Sequence, residues 1–234
     1  MSISGWMAHA RAAVGILGGS RTFGGPLQAS IGLSHRCNLR CIHCYFFSPL
    51  AETPNTRSVR RHRMNTAAPE EDPAASLGID MDPARGRQLI DDLLRMGTRR
   101  FQIGGNGEAF LHPQALELMR RGKEGGAFCF ANTNGTLLDS SIADELIAMR
   151  FDELRITTMA GSADGYIRTH PGVRPSMFED VRGRLKYIAE RKRRLALKTP
   201  RITLVLIVVK QNHDELPAFA RLAVDVGADG VLIK

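Results

Sequence analysis

The feature that most restricts the fold of this chain is its alternation of strand-like and helix-like patterns. β-rich runs stand at 27–34, 99–104, 127–132, 153–158, 201–209 and 230–233. Helical periodicity separates them. Leu89, Ile90, Leu93 and Leu94 mark one helix face that Asp82-Pro83 can open, and Leu116 and Met119 mark a second. Ile142, Leu146 and Ile147 mark a third, with Asp139 or Ser140 as N-cap. Phe178, Val181, Leu185 and Ile188 mark a fourth, and Leu216, Phe219, Ala220 and Ala223 a fifth. Strict alternation of this kind makes the strands parallel, because each helix carries the chain back to the start of the next strand by a right-handed crossover. The run 202–209 is apolar almost throughout, as suits a strand covered on both faces. The pattern predicts an α/β fold, a partial (β/α)6 barrel of parallel strands with an N-terminal helical extension.

Two stretches break the rhythm. Residues 47–79, rich in Pro, Ala and charge, read as a flexible insertion, and residues 160–175 read as a long loop. The expected division is an extension over 1–26 and a barrel over 27–234. The last strand pattern runs to Lys234 and leaves a sheet edge, so the sequence is expected to be a portion of a longer chain.

At 43% hydrophobic and 24% charged residues, the composition is that of an ordinary globular protein. No apolar run approaches the roughly 20 residues needed to span a bilayer, and the first 19 residues hold no convincing cleavage site. No membrane insertion and a cytoplasmic location are the expectations. The formal charge of +8 comes largely from Arg57, Arg60, Arg61 and Arg63 and from Arg191, Lys192, Arg193 and Arg194. Such runs are usually solvated, but long-range charge attracts acidic partners, and nucleic acid stays a minor reading.

Four cysteines in 234 residues do not make a disulfide framework. Cys37, Cys41 and Cys44 are clustered directly after the first strand, whereas Cys129 lies in an apolar run and reads as a packing residue. The sequence Gly104-Gly105-Asn106-Gly107-Glu108 follows the second strand, Asn132-Thr133-Asn134-Gly135 the third, Thr157-Thr158 the fourth and Lys210-Gln211-Asn212 the fifth. In a parallel barrel the strand C-termini open onto one face, so five loops meet over one pocket. Three thiolates from one tight loop suit a [4Fe–4S] cube with one iron left open. The rival is a structural zinc site completed by His35 or His43.

The run Cys37-Asn-Leu-Arg-Cys41-Ile-His-Cys44-Tyr45 resembles the cluster motif of the radical S-adenosylmethionine (radical SAM) superfamily, and 104–108 followed by Phe110-Leu111-His112-Pro113 resembles its glycine-rich, glutamate-terminated motif. The resemblance is nearest to a branch of peptide-modifying and cofactor-assembling maturases, many with extra clusters in a C-terminal extension, which this sequence is expected to lack. It implies that Cys37, Cys41 and Cys44 each bind one iron, and that SAM chelates the fourth. His43 would pack near adenine, where the family usually has an aromatic residue, and the Tyr45 backbone would meet the adenine edge. Gly105, Asn106, Gly107 and Glu108 would hold the methionyl ammonium. Thr157 matches a position that often holds a ribose-binding serine, while Asn134 and Asn212 are further candidate contacts. The implied activity is reductive cleavage of SAM to a 5′-deoxyadenosyl radical that abstracts hydrogen from a substrate, a peptide or small molecule. It also implies a low-potential electron donor of flavodoxin or ferredoxin type. Two other classes compete: a zinc-bearing basic nucleic-acid-binding module, and a noncatalytic scaffold of the same fold.

Overall fold

The computed structural model describes residues 3–19, 24–50 and 80–234. Most of the expected insertion, with the arginines at 57–63, lies outside the described residues. Six strands form one parallel sheet in chain order: β1 (Ala29–Ile31), β2 (Arg100–Ile103), β3 (Phe128–Thr133), β4 (Glu153–Thr157), β5 (Arg201–Leu206) and β6 (Gly230–Ile233). β1 and β6 are its edges, so the sheet is not closed, as the partial barrel requires. Helix α1 (Ile3–Gly18) precedes the sheet. The crossovers hold α2 (Pro83–Arg95), α3 (Ala115–Glu124), α4 (Ser140–Ala148), α5 (Ala163–Thr169), α6 (Met177–Arg194) and α7 (Leu216–Asp225). No helix among the described residues is long and apolar enough to cross a membrane.

Local chemistry sets the helix starts. Asp82 caps α2 by accepting from the Arg85 amide at 2.9 Å, with Pro83 in the first turn, and Asp139 caps α4 by accepting from Ile142 at 2.9 Å. The expected face of α6 is buried as a set. The face of α7 is shifted: Phe219, Leu222 and Val226 are buried, whereas Leu216 and Ala220 are exposed. β5 stops at Leu206 rather than 209, because the Asn212 side chain captures the Val209 amide at 2.7 Å. The stretch 160–175, expected as a loop, contains α5. Its cap is Ser162, whose Oγ accepts from the Gly165 amide at 3.1 Å, and its seven residues are too few to print a clear helical period.

The two faces of the sheet differ in chemistry. Phe101, Ile103, Cys129, Ala131, Leu154, Ile156, Ile202, Leu204 and Leu206 join the helices in one apolar core. Registered across the other face are Gln102, Phe130 and Glu153, and one step along the strands Asn132, Arg155 and Thr203. That face is polar and cross-linked: Glu153 accepts from Arg155 at 3.0 Å and from Thr203 at 2.8 Å, and the Arg155 guanidinium lies 4.0 Å over the Phe130 ring. A sheet with one apolar face and one polar face keeps the polar one available for a ligand.

Candidate functional site

The cysteine loop is built by its own backbone and by neighbours on both sides. The Met81 amide donates to Leu33 O at 2.8 Å, and Arg36 grips Asp80 through Nε at 3.2 Å and an Nη at 2.5 Å. Past the first cysteine, the Cys44 amide donates to Cys41 O and the Ser48 amide to Cys44 O, both at 3.0 Å. On the far side the Ile42 amide donates to Thr169 O at 3.1 Å, tying the loop to the end of α5. Cys37, Cys41 and Cys44 are all free and half-buried. Burial, reinforced by Glu108 and Cys44, pushes the Cys37 thiol up to about 11. Burial with Cys37 and Cys44 pushes Cys41 up further.

A loop whose burial penalises the Cys37 and Cys41 thiolates favours bound cationic metal over bare thiolates. Among the described residues, no three His, Cys, Asp or Glu side chains gather tightly enough to hold a single metal ion. Three free thiols from one loop suit a cube, in which each sulfur reaches a different iron.

The loop after β2 is pressed against the cysteine loop. Gly104 has φ +86°, and a Cβ on Gly107 would stand 2.3 Å from Arg36 O. Only glycine permits that approach. The contact is completed by the Glu108 amide, which donates to Arg36 O at 2.7 Å. Glu108 itself is 1% exposed. Its Oε1 accepts from Thr133 Oγ1 at 2.8 Å and from the Phe110 amide at 3.3 Å, and Oε2 accepts from the Asn134 amide at 2.8 Å. Burial raises its pKa, and these bonds oppose the shift. A carboxylate offers about four lone-pair sites, so one on Oε2 is still unspent. Gly105 is exposed and Asn106 half-buried beside them.

Asn134 joins the third loop to the first. Its Nδ2 donates to Asn38 Oδ1 at 2.8 Å and reaches Cys37 Sγ at 3.9 Å, while its Oδ1 accepts from the Thr136 amide and hydroxyl at 2.9 and 2.6 Å. His43 is half-buried with Nδ1 unpartnered among the described residues, and Tyr45 is exposed. Thr157 ends β4 half-buried, and the adjacent Thr158 is 1% exposed with an unpartnered hydroxyl.

Asn212 is fully buried, and both of its amide protons are engaged, with Met159 O at 2.9 Å and Ile207 O at 3.0 Å. The structure gives it the work of a clasp between two loops. Two residues escaped sequence reasoning. Arg155, two positions before Thr157 on the polar face, has a buried Nε without a partner among the described residues. Glu215 accepts from the Gly161 amide at 3.0 Å and from Ser162 Oγ at 2.8 Å, fixing the start of α5. A polar residue inside an otherwise β-rich run was the available signal for Arg155; Glu215 gave none.

The family model described as the radical SAM superfamily matches residues 31–223. The chain belongs to the radical SAM superfamily. Members of this superfamily use a [4Fe–4S] cluster and SAM. Among curated relatives, the chain is 24% identical over 204 residues to the tungsten-containing aldehyde ferredoxin oxidoreductase cofactor-modifying protein of Pyrococcus furiosus, covering 86% of this chain and 49% of that one. It is 22% identical over 209 residues to a PqqA peptide cyclase of Xanthomonas campestris pv. campestris, covering 88% and 46%. The chain spans about half the length of these relatives. The crystal structure of Streptococcus suis SuiB bound to S-adenosylmethionine shares the fold at a TM-score of 0.63 and 16% identity, over 90% of this chain and 40% of that one. The radical SAM assignment accounts for the position of the cysteine loop at the strand C-termini of an open parallel sheet.

Proposed function

We propose that this chain is the cluster- and SAM-binding core of a radical SAM enzyme that modifies a peptide or small molecule. The observation that carries the reading is the convergence of three free thiols with a buried carboxylate that keeps one unspent lone pair. Cys37, Cys41 and Cys44 would hold the cluster. When bound, cluster and SAM supply one-electron cleavage of the sulfonium, which yields methionine and a 5′-deoxyadenosyl radical able to take hydrogen from a C–H bond.

The chain's own residues bind and orient. Glu108, desolvated by burial, gains most from a cation, and an ammonium donating to Oε2 fills its last site. The glycines at 105 and 107 let backbone approach that group, with Asn106 alongside. Arg155 offers the unspent Nε–H to a carboxylate, and Thr157 stands two residues on along the same face. Asn134 steadies Cys37, and His43 and Tyr45 flank the last cysteine as candidates for adenine contact. The polar face carrying Gln102, Asn132 and Thr203 suits a substrate with hydrogen-bonding groups, such as a peptide. Similarity to a cofactor-modifying protein and to a peptide cyclase supports modification of a peptide or a cofactor. A low-potential flavodoxin- or ferredoxin-type carrier would supply electrons.

The test is anaerobic reconstitution followed by reduction with SAM present. Release of 5′-deoxyadenosine and methionine is expected, and cluster-loaded, reduced protein that releases neither would contradict the reading.

A further inference from the structure

The N-terminal half of the polar sheet face holds two guanidiniums whose ligand the site described above does not name. Arg155 stands in register with Asn132 and Thr203, yet its guanidinium reaches back, away from the cysteine rim. It lies 4.0 Å over the Phe130 ring and donates to Glu153 at 3.0 Å, and these two partners pair one row nearer the strand N-termini. Arg100 comes from the opposite direction. It stands in register with Phe128, and its guanidinium lies 4.4 Å from the centre of that ring and 5.1 Å from that of Phe130. Its Nε donates to Gln28 Oε1 at 3.0 Å, and no carboxylate pairs with it among the described residues.

Two cations thus converge on one ring that is itself 1% exposed. Like charges held this close repel each other. Glu153 offsets only one of them, and it also accepts from Thr203 Oγ1 at 2.8 Å. The Arg155 Nε is buried without an acceptor among the described residues, while 23% of the side chain stays exposed. A guanidinium carries more donors than these contacts use. One positive charge in excess, with N–H forks still free, complements a single carboxylate better than a phosphate dianion. Gln102, in register with Phe130, and Asn132, next along the same face of β3, add hydrogen-bonding groups beside it.

We propose that Arg100 and Arg155 anchor a carboxylate of the substrate over Phe130. The inference rests on the proposed reading of this face as the substrate side of a radical SAM site. The anchor lies three residues before the end of β3, which is about 10 Å along a strand. It therefore grips the substrate by a group remote from the reacting carbon at the rim, where binding energy serves to orient that carbon.

The experiment is saturation-transfer NMR on the anaerobically reconstituted, SAM-loaded protein. The probes are N-acetylglutamate α-amide, its neutral isostere N-acetylglutamine α-amide, and butyrate. The parent should bind the glutamate probe at least about tenfold more tightly than the glutamine probe. Arg100→Gln and Arg155→Gln should each bring those two affinities to within about threefold of each other. Arg193→Gln, exposed in the last turn of α6, should keep the parental preference. Tighter binding of the capped glutamate than of butyrate supports the anchor with an acidic peptide as its source, and the reverse order supports it with a small acid. Arg100→Gln breaks no ion pair among the described residues, so it decides the outcome where Arg155→Gln, which strips Glu153 of its charged partner, fails to fold.

Equal affinity of the parent for the two capped probes, or no binding of either, would overturn the inference. So would a preference that survives in Arg100→Gln. Loss of SAM binding in Arg155→Gln with the preference intact would also overturn it, by giving that guanidinium to SAM. A parent that takes up no iron but still prefers the carboxylate supports the anchor and contradicts the proposed function, which keeps the two failures apart.

Discussion

The two ends of the sheet satisfy their polar groups in opposite ways. At the N-terminal end, Lys123 donates to Asp152 at 2.5 Å while the same oxygen accepts from the Cys129 amide at 2.6 Å. Two β/α units later, Lys192 donates to Asp229 at 2.6 Å and that oxygen accepts from the Ile202 amide at 2.7 Å. Each is a closed clamp between a helix end, the next strand and the turn that leads into the strand beyond. At the C-terminal end, His43 Nδ1, Thr158 Oγ1, Tyr166 Oη and His170 Nε2 are buried without partners, four of six such atoms among the described residues. Among the described residues the first end leaves one such atom, Thr98 Oγ1, and the second holds four. That difference suits the first end to stability and supports the proposal of ligand binding at the second.

The comparison is broken or sharpened most strongly by the cysteines. Replacing Cys37, Cys41 or Cys44 by Ala should abolish iron binding, measured by metal analysis after anaerobic reconstitution. Cys129→Ala, which changes a buried core side chain and leaves the amide of the Lys123 clamp in place, should keep the parental iron content. Next in size is the clamp itself. Asp229→Ala leaves the 5%-exposed Lys192 without its partner and should cost about 3 kcal/mol in denaturant unfolding, with iron content unchanged. Equal loss of iron in that variant would mean the two ends are not separable.

Glu108→Ala should weaken SAM binding about tenfold or more in calorimetry of the cluster-loaded protein, because a buried charge partner is removed. Thr133→Val, which deletes one neighbour of that carboxylate, should leave affinity within about threefold and cost about 1 kcal/mol of stability. The smallest effect is expected for Arg193→Glu with Arg194→Glu. The run 191–194 closes α6 at the N-terminal end, and three of its cations are paired, Arg191 with Asp144, Lys192 with Asp229 and Arg194 with Glu190. Reduction of the cluster by an acidic flavodoxin-type donor should therefore change by less than about twofold, measured by stopped flow. A large slowing would place the carrier at the end of the sheet remote from the cysteines.

How much could be read in advance depended on whether a signal was local. The strand order, the caps at Asp82 and Asp139 and the face of α6 were legible, because period and capping chemistry are written in adjacent residues. The cysteine triplet was legible for the same reason. Helix α5 was not, since Gly165 interrupts seven residues that are held at their start by the Ser162 cap and by the Glu215 latch, far away in sequence. Asn212 read as a ligand because its side chain is polar and follows a strand. Its role as a backbone clasp depends on Met159 and Ile207, which sequence spacing does not bring together. Arg155 was passed over inside a strand, where only the register shows which face it takes.

The central claim is that the C-terminal rim holds a cluster with one position open to SAM. EPR of the anaerobically reconstituted, reduced protein tests it most directly when spectra are taken with and without SAM. The account predicts about four irons per chain and a cluster signal whose g-values shift on adding SAM, with the shift lost in Glu108→Ala. Stoichiometric zinc without iron, or a cluster signal indifferent to SAM, would contradict it.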